Sequence, residues 1–281
     1  MNAQKNNFMF ISEKREDVTG LFRLTCRDAI SSDSSGIIDP YDAESIVKIY
    51  TECIDGDCSP CVELAVFCSE YAKIYSYSPL DLIDKSEYEA SQQQIAQIAY
   101  LRNAFADKAY RKAAALFDKV SAVYLPGFRE VCEEVYYGRS TYALLPIFSS
   151  NDGQLSSFRQ LISKYDLNII FAVDVKLSDE GFMRYALLRK GLRDANCCGK
   201  INYLDISVVA ENDFRLGEFL SSCEYLGASV TSVNAYPREY SENSSLVYIT
   251  FDISQAEFGA LCLFLEVSHI RYTPIGAYNI K

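Results

Sequence analysis

The sequence predicts an α+β protein of several domains: a helical N-terminal region, a single α/β lobe and a C-terminal unit of the ferredoxin-like type. Three observations support this prediction. In the first part of the 281-residue chain, apolar residues recur at spacings of three and four, which is typical of amphipathic helices. From residue 95, short apolar runs alternate with amphipathic stretches, as strands and helices do in an α/β sheet. After residue 200, the order becomes strand, helix, strand, strand, helix, strand.

Residues 1–92 are predicted to form a helical domain. The first helix spans 15–29, where apolar residues recur at helical spacing. The second helix begins at Asp39, whose side chain suits an N-cap, with Pro40 in the first helical position. A third helix follows Pro60, and the polar segment 86–94 ends the domain or links it to the next one.

Residues 93–196 are predicted to form the α/β lobe. Apolar runs with the length of strands lie at 95–101, 120–124, 142–147 and 168–173. The stretches between them predict helices at 107–117, 128–137 and 154–164. Because a helix separates each strand from the next, the strands are expected to lie parallel in one sheet.

Residues 200–281 are predicted to form the C-terminal domain, after a linker at 197–200. Its strands are predicted at 202–209, 230–236, 246–252 and 270–274. Its helices are predicted at 214–225 and 255–266. This β-α-β-β-α-β order is the ferredoxin-like one.

The charge and the hydropathy pattern exclude several classes of function. A net charge of −11 argues against nucleic acid, whose binders cluster Lys and Arg, and against an anionic membrane surface. No apolar run approaches the roughly 20 residues that span a bilayer. The first residues lack the apolar core of a signal peptide, so we expect a cytoplasmic protein.

The ten cysteines are expected to be reduced thiols rather than disulfides. Cys58 and Cys61 have the spacing of a metal-binding pair, but no second pair follows, and Cys68 falls on the apolar face of a predicted helix. Buried or loop thiols are therefore favoured, and neither a metal nor a cofactor is predicted. The single histidine, His269, is interpreted as a surface or capping residue rather than a catalytic base.

The segment Tyr142-Ala-Leu-Leu-Pro-Ile-Phe-Ser-Ser-Asn-Asp-Gly153, with the helices on either side of it, resembles the prephenate dehydratase family. The resemblance extends over about residues 95–281 and implies a lobe of the periplasmic-binding-protein type. In that family the strand reads Leu-Pro-Ile-Glu-Asn-Ser, and its Glu and Asn help form the substrate site. Here Phe148 and Ser149 stand at those two positions.

The family's active-site motif, Thr-Arg-Phe, matches Met183-Arg184-Tyr185 in this chain. The resemblance implies that the Thr hydroxyl serves the departing hydroxyl group and that the Arg holds a carboxylate. Met183 cannot donate a proton, whereas Arg184 keeps an anion contact. Arg102 follows the strand where the family has a Gly-rich turn, and it is a second candidate for binding a carboxylate or else a surface residue.

A length difference separates this chain from the family. Family members have a complete second lobe between the strand that matches 168–173 and the Thr-Arg-Phe motif, and the substrate lies between the two lobes. Here only 175–182 separates the two. The resemblance therefore implies a single lobe without an enclosed cleft.

The C-terminal domain resembles an ACT domain, a module that binds amino acids. The family's effector loop, Pro-Gly-Ala-Leu, matches 213–216 and keeps Leu216, while the Glu of Glu-Ser-Arg-Pro is replaced by Asn234. The helical region occupies the place of a chorismate mutase, and Asp42 and Ala43 replace its Arg and Glu, so we treat it as a degenerate mutase or a merely helical domain.

These resemblances imply a catalytically inactive prephenate dehydratase-like protein with a ligand-binding or regulatory role in phenylalanine metabolism. The expected ligand is an aromatic amino acid or a prephenate-like anion. A homodimer is expected because the resemblance implies that an ACT-like unit covers a sheet edge or helix face with a second copy, and because strand 246–251 is an edge hazard if it is unpaired. Two alternatives stay open. The chain is an active dehydratase, alone or with a mutase activity, or its fold serves only as an interaction surface. The candidate ligand-binding residues are Arg184, Arg102, Asn234 and Leu216.

Overall fold

The computed structural model describes residue 20 and residues 22–31, 42–54, 58–76, 95–176, 181–192, 201–211, 214–237 and 244–281. Among these residues, no helix combines the length and the apolar character needed to cross a membrane.

The described part of the N-terminal region contains three helices. Helix α1 covers 22–31, α2 covers Ala43–Lys48 and continues into a π-helical turn at Ile49–Cys53, and α3 covers Val62–Tyr75. The Asp42 carboxylate caps α2 by accepting a 3.0 Å hydrogen bond from the Ser45 amide. The predicted start at Asp39 and Pro40 lies outside the described residues.

The α/β lobe follows. Its elements are β1 Ala96–Leu101, α4 Ala104–Ala114, β2 Val120–Leu125, α5 Phe128–Tyr136, β3 Tyr142–Ser149, β4 Gly153–Gln154, α6 Ser156–Lys164, β5 Asn168–Lys176 and β6 Phe182–Arg189. Strands β1, β2 and β3 run parallel, as predicted, in the order β2-β1-β3. Strand β6 was not predicted. It lies between β3 and β5, antiparallel to both, so the sheet is mixed rather than parallel.

The C-terminal unit has the predicted β-α-β-β-α-β order. Its elements are β7 Tyr203–Glu211, α7 Leu216–Tyr225, β8 Ser229–Pro237, β9 Ser244–Asp252, α8 Phe258–Val267 and β10 Tyr272–Tyr278. The strands form an antiparallel sheet in the order β10-β7-β9-β8, which is the ferredoxin-like topology. Strand 246–251 is not the unpaired edge considered from the sequence, because β9 pairs with β7 on one side and β8 on the other.

The three regions share cores. Buried residues of α1–α3 pack in one hydrophobic core with α7, α8 and one face of the C-terminal sheet, including Phe67, Phe219 and Phe264. The opposite face of that sheet packs with the lobe, because Tyr248 and Tyr278 share a second core with residues of α5 and α6. Helix α4 covers the remaining face of the lobe sheet. The helices of the N-terminal region therefore bury their apolar faces against the C-terminal unit.

Strands β5 and β10 join the lobe and the C-terminal unit into one sheet. Gly276 of β10 lies opposite Ile169 of β5 in parallel register. Beyond this pair the chain end continues along β5, where the Ala172 amide donates to the Asn279 carbonyl at 2.9 Å and the Lys281 amide donates to the Ala172 carbonyl at 3.0 Å. The junction requires a glycine, because a Cβ at Gly276 would lie 2.6 Å from the Ile169 Cβ and 2.7 Å from its carbonyl oxygen.

The junction leads to a first prediction. Gly276→Ala should lower the free energy of unfolding by about 1–3 kcal/mol, because one of two hydrogen-bonded strands must move to accommodate the methyl group. The matched control is Gly217→Ala, near the start of α7, where an added Cβ meets no atom within 4 Å. That change should stabilise the protein by up to about 1 kcal/mol, since alanine favours helix. Urea denaturation measures both variants, and equal stabilities would contradict the close packing at Gly276.

Candidate functional site

The strand order β2-β1-β3 places a topological switch point between β1 and β3. In open α/β sheets the crevice outside the carboxyl ends of the strands at such a point is the usual ligand site. The end of β1 is followed by Arg102 and Asn103, and the end of β3 is followed by the turn 150–152. A ligand site is therefore expected at this edge of the sheet.

The register of the strands brings the predicted site residues together at this edge. Phe148 of β3 lies opposite Arg184 of β6, and Ser149 lies opposite Met183. Tyr185 lies opposite Pro146. Residues from two segments more than thirty positions apart in the sequence thus occupy adjacent strands.

Arg184 is held by an intramolecular ion pair with Asp174 of β5. Its Nε donates to Asp174 Oδ1 at 2.8 Å and its Nη2 donates to Oδ2 at 2.9 Å. Its Cζ also lies 5.6 Å from the ring centre of Phe148, 5.7 Å from that of Phe182 and 5.8 Å from that of Tyr203. Three aromatic rings and one carboxylate therefore fix the guanidinium.

The environment of Arg184 keeps it charged. Burial alone would lower its pKa, but the hydrogen bonds and the charge of Asp174 raise the pKa above the ordinary arginine value. The side chain is 20% exposed. In the part of the chain that the structure describes, Nη1 makes no hydrogen bond, so one edge of the guanidinium can still receive a carboxylate.

The Ser149 hydroxyl is occupied by the turn that follows β3. The residue is 2% exposed, and its Oγ donates to Asp152 Oδ2 at 3.0 Å. The same oxygen accepts hydrogen bonds from the amides of Asn151 at 3.2 Å and Asp152 at 3.4 Å. Ser149 therefore stabilises the turn, and Met183, half-buried against the α4 side of the sheet, offers no proton donor.

Tyr185 faces away from Arg184, because successive strand residues point to opposite faces of a sheet. It is buried in the core beside α4, and burial raises the pKa of its hydroxyl although a hydrogen bond with Asn103 acts in the opposite direction. The Asn103 side chain caps α4 by accepting from the amides of Phe105 at 3.0 Å and Ala106 at 2.9 Å. Two amides that could bind an anion at this helix start are therefore occupied.

Arg102 lies at the surface rather than against Arg184. Its side chain is 66% exposed, its Nε lies 3.8 Å from Asp107 Oδ2, and its Cζ lies 5.0 Å from the ring centre of Tyr124. The cation is available to solvent at the carboxyl end of β1. Its proposed contact with a ligand stays a prediction.

Leu216 and Asn234 do not meet within this chain. Leu216 packs in the core on the helix-covered face of the C-terminal sheet. Asn234 lies opposite Tyr248 in antiparallel register, so the two side chains share a face, and Tyr248 belongs to the core on the other side of the sheet. A phenylalanine site built from both side chains stays a prediction.

Sequence reasoning missed three residues around Arg184, namely Asp174, Phe182 and Tyr203, and it missed Asn103, which contacts Tyr185. Asp174 carried a signal, since it is the single carboxylate within the apolar strand Asn168–Lys176. Tyr203 carried none, because only the folded chain brings the start of β7 within reach of the Arg184 side chain. Because Asp174 binds two nitrogens of the Arg184 guanidinium, fewer of its N–H groups are open to a ligand than the motif suggested.

The described cysteines of the N-terminal region and His269 lie away from this site. Cys26, Cys58 and Cys68 are buried in the core that contains α3, and burial raises the pKa of the Cys26 thiol to about 12. The Cys61 sulfur caps α3 by accepting from the Leu64 amide at 3.4 Å. His269 is exposed in the left-handed conformation after α8, with φ of 51°. Within the described ranges, no group of three or more His, Cys, Asp or Glu side chains is placed to hold a metal ion.

Comparison with known proteins finds relatives only among solved structures: no family model matches the sequence, and no curated protein matches it. The structure is similar to prephenate dehydratase from Streptococcus mutans, with a TM-score of 0.55, 16% identity, and coverage of 66% of this chain and 98% of that chain. It is also similar to GqqA, described as a novel type of quorum quenching acylase, with a TM-score of 0.53, 18% identity, and coverage of 66% and 95%.

A third neighbour is prephenate dehydratase from Arthrobacter aurescens in complex with L-Phe, with a TM-score of 0.50 and 12% identity. This match covers 65% of this chain and 90% of that chain. At these identities the likeness establishes the fold alone. The predicted fold class is confirmed: the chain combines helices with a multistranded sheet and has the periplasmic-binding-protein-like lobe of the prephenate dehydratases.

Proposed function

We propose that this protein binds an aromatic carboxylate at Arg184, without dehydratase chemistry, and acts as a regulatory member of the prephenate dehydratase family in aromatic amino-acid metabolism. The arrangement around Arg184 carries the proposal. Asp174 orients one edge of the guanidinium, and the other edge is free for a carboxylate. Phe148, Phe182 and Tyr203 supply the aromatic surface beside it.

The ligand we propose is an aromatic amino acid or a prephenate-like anion. Both combine a carboxylate with a six-membered carbon ring, which matches a cation surrounded by aromatic rings. The structural neighbour from Arthrobacter aurescens was crystallised with L-Phe, which is consistent with this class of ligand. Arg102, exposed at the carboxyl end of β1, is a second cation for a ligand with two acidic groups.

The absence of catalysis is proposed from the groups beside Arg184. Met183 replaces the proton-donating Thr of the family motif, Phe148 replaces its Glu, and the Ser149 hydroxyl is bonded within its own turn. The antiparallel pairing of β5 with β6 ends at Lys176 and Phe182, so few residues connect the two strands. This supports a single lobe, and an open site leaves the substrate in water, where electrostatic stabilisation is weak.

The wider organisation is part of the same proposal. Residues 1–92 form a degenerate mutase-like or merely helical domain, 93–196 the dehydratase-like lobe, and 200–281 an ACT-like regulatory domain. We further propose a cytoplasmic homodimer. Among the described strands the sheet ends at β2 and β8, and β8 is the edge of the ACT-like unit.

Thermal-shift measurements with phenylalanine, tyrosine, tryptophan, prephenate and chorismate test the binding proposal. A ligand at 100 times its dissociation constant should stabilise the protein by about 2.7 kcal/mol. Arg184→Leu should abolish this stabilisation. Arg129→Leu is the matched control, because Arg129 is also paired with a carboxylate, Glu133 at 2.9 Å, but is 67% exposed on α5. The control should respond to the ligand as the unmodified protein does.

Two outcomes contradict the proposal. If none of the five compounds shifts the unfolding temperature, the fold serves only as an interaction surface. If a compound stabilises the Arg184→Leu variant as strongly as the unmodified protein, the ligand binds elsewhere on the molecule.

A further inference from the structure

A surface cluster of tyrosines and cations lies at the amino ends of the lobe strands, at the opposite end of β6 from Arg184. We call it the tyrosine–cation patch. Helices α5 and α6 both end there, and Lys190 directly follows β6. The patch consists of Tyr136, Tyr137, Arg139, Lys164, Tyr165 and Lys190.

The side chains of the patch form one contiguous group. The Tyr136 ring lies edge-on to Tyr137 at 5.2 Å and to Tyr165 at 5.7 Å between ring centres. Each ring also carries a cation. Lys190 Nζ lies 4.7 Å from the centre of the Tyr136 ring, Arg139 Cζ lies 5.1 Å from that of Tyr137, and Lys164 Nζ lies 5.7 Å from that of Tyr165.

The patch is exposed but firmly held. Tyr137 is 63% exposed and Tyr136 is 41% exposed, so two large aromatic rings form an adjacent exposed pair. Tyr165 is buried and its hydroxyl donates to Glu133 at 2.9 Å. The two exposed rings therefore pack against a buried tyrosine at the ends of two helices. Because the rings are already ordered, less side-chain entropy is lost when a partner binds.

The cations of the patch are only partly neutralised by nearby carboxylates. Three cations lie here in a chain of net charge −11, and the neighbouring Glu133 carboxylate accepts the hydrogen bond of Tyr165. Arg139 pairs with Glu134 at 2.9 Å, whereas Lys164 and Lys190 pair with no carboxylate among the residues that the structure describes. Lys164 lies at the C-terminal end of α6, where the helix dipole favours a positive charge. Lys190 follows a strand, so its own element offers no such stabilisation.

We propose that the tyrosine–cation patch is a docking surface for an acidic segment of a partner protein. Tyr and Arg are the residues enriched at the energetic centres of protein interfaces. The two unpaired lysines can contact Asp or Glu side chains, and the exposed rings can cover an apolar residue between them. A second copy of this acidic chain is a poorer match for a cationic surface, since its overall charge repels its own kind. This inference is independent of the ligand proposed at Arg184.

A fluorescent peptide tests the proposal on the full chain. Because the protein contains no Trp, a short peptide of glutamates around a single tryptophan can be excited selectively. We expect saturable binding that weakens with added salt, and no binding of the same peptide with Gln in place of Glu. Lys190→Glu and Tyr137→Ala should each weaken binding about tenfold or more. Tyr124→Ala is the matched control, since Tyr124 is 52% exposed beneath Arg102 at the other end of the sheet, and it should leave the affinity unchanged.

Three results would overturn the docking surface. They are the absence of peptide binding at low salt, equal binding of the glutamate and glutamine peptides, and unchanged affinity in both patch variants. Sedimentation tests whether a second copy of the chain binds the patch instead. Self-association that both Lys190→Glu and Tyr137→Ala abolish would assign the patch to a second copy and would also refute the proposal.

Discussion

Asp205→Ala will lower the free energy of unfolding by about 3–5 kcal/mol, because it leaves the guanidinium of Arg159 buried without a counter-charge. Arg159 on α6 and Asp205 on β7 are 4% and 1% exposed and form an ion pair between the lobe and the C-terminal unit. Burial opposes the charge of Arg159, yet the facing carboxylate raises its pKa. Arg159 therefore keeps its charge in the folded protein and cannot avoid the cost of burial by losing a proton.

Neighbouring groups cannot replace the lost carboxylate. Arg159 Nε already lacks a hydrogen-bond partner among the described residues, and so does Asp205 Oδ1. The Tyr278 hydroxyl donates to Asp205 Oδ2 at 3.4 Å, and burial, followed by the charge of Asp205, raises the pKa of that hydroxyl. A raised pKa keeps Tyr278 neutral, so it gives Arg159 no charge to pair with.

Two further variants distinguish the contribution of the ion pair to the free energy of unfolding from the contribution of packing. Replacing both partners, as Arg159→Met with Asp205→Val, should be less destabilising than Asp205→Ala alone, because no buried charge remains. Tyr278→Phe removes only one long hydrogen bond and should cost about 1 kcal/mol or less. Urea denaturation measures all three proteins. A cost below about 1 kcal/mol for Asp205→Ala would show that water reaches Arg159 and that the interface is not tightly packed.

Much of the fold could be predicted because its signals are local. The C-terminal unit follows from alternation and spacing alone, and its strand order matches the one that β-α-β-β-α-β units adopt. Strand β6 escaped prediction for a physical reason. Its uninterrupted apolar run is short, because Arg184 and Arg189 flank residues 185–188. Such a short run, in a strand that pairs with β5 on one side and β3 on the other, is a weak signal in the sequence alone.

The sequence named the residues of the candidate site but not their arrangement. Phe148, Ser149, Met183 and Arg184 were identified from motif positions, and the structure places Phe148 opposite Arg184 and Ser149 opposite Met183. The motif resemblance could not anticipate Asp174, which takes up one edge of the guanidinium, or Tyr203, which arrives from the C-terminal unit. The sequence also could not show that strand 246–251 is paired on both sides, since the place of a strand in a sheet depends on the other strands that it meets in the folded chain.

We propose that this chain keeps the prephenate dehydratase-like fold without the groups for dehydration. The alternative is a working enzyme, either a dehydratase or a bifunctional mutase–dehydratase. In the family the Thr of the Thr-Arg-Phe motif serves the departing hydroxyl, and a positioned proton donor contributes about 10²–10⁴-fold to a reaction rate. Met183 supplies no such group, and Ser149, in the adjacent strand, is engaged in its own turn.

The most direct measurement is the formation of phenylpyruvate when the purified protein is given prephenate near neutral pH. We expect phenylpyruvate to form no faster than from prephenate alone, and at an equal rate with the Arg184→Leu variant. Sustained formation of phenylpyruvate that exceeds the background, and that Arg184→Leu abolishes, would contradict the account and establish an active dehydratase.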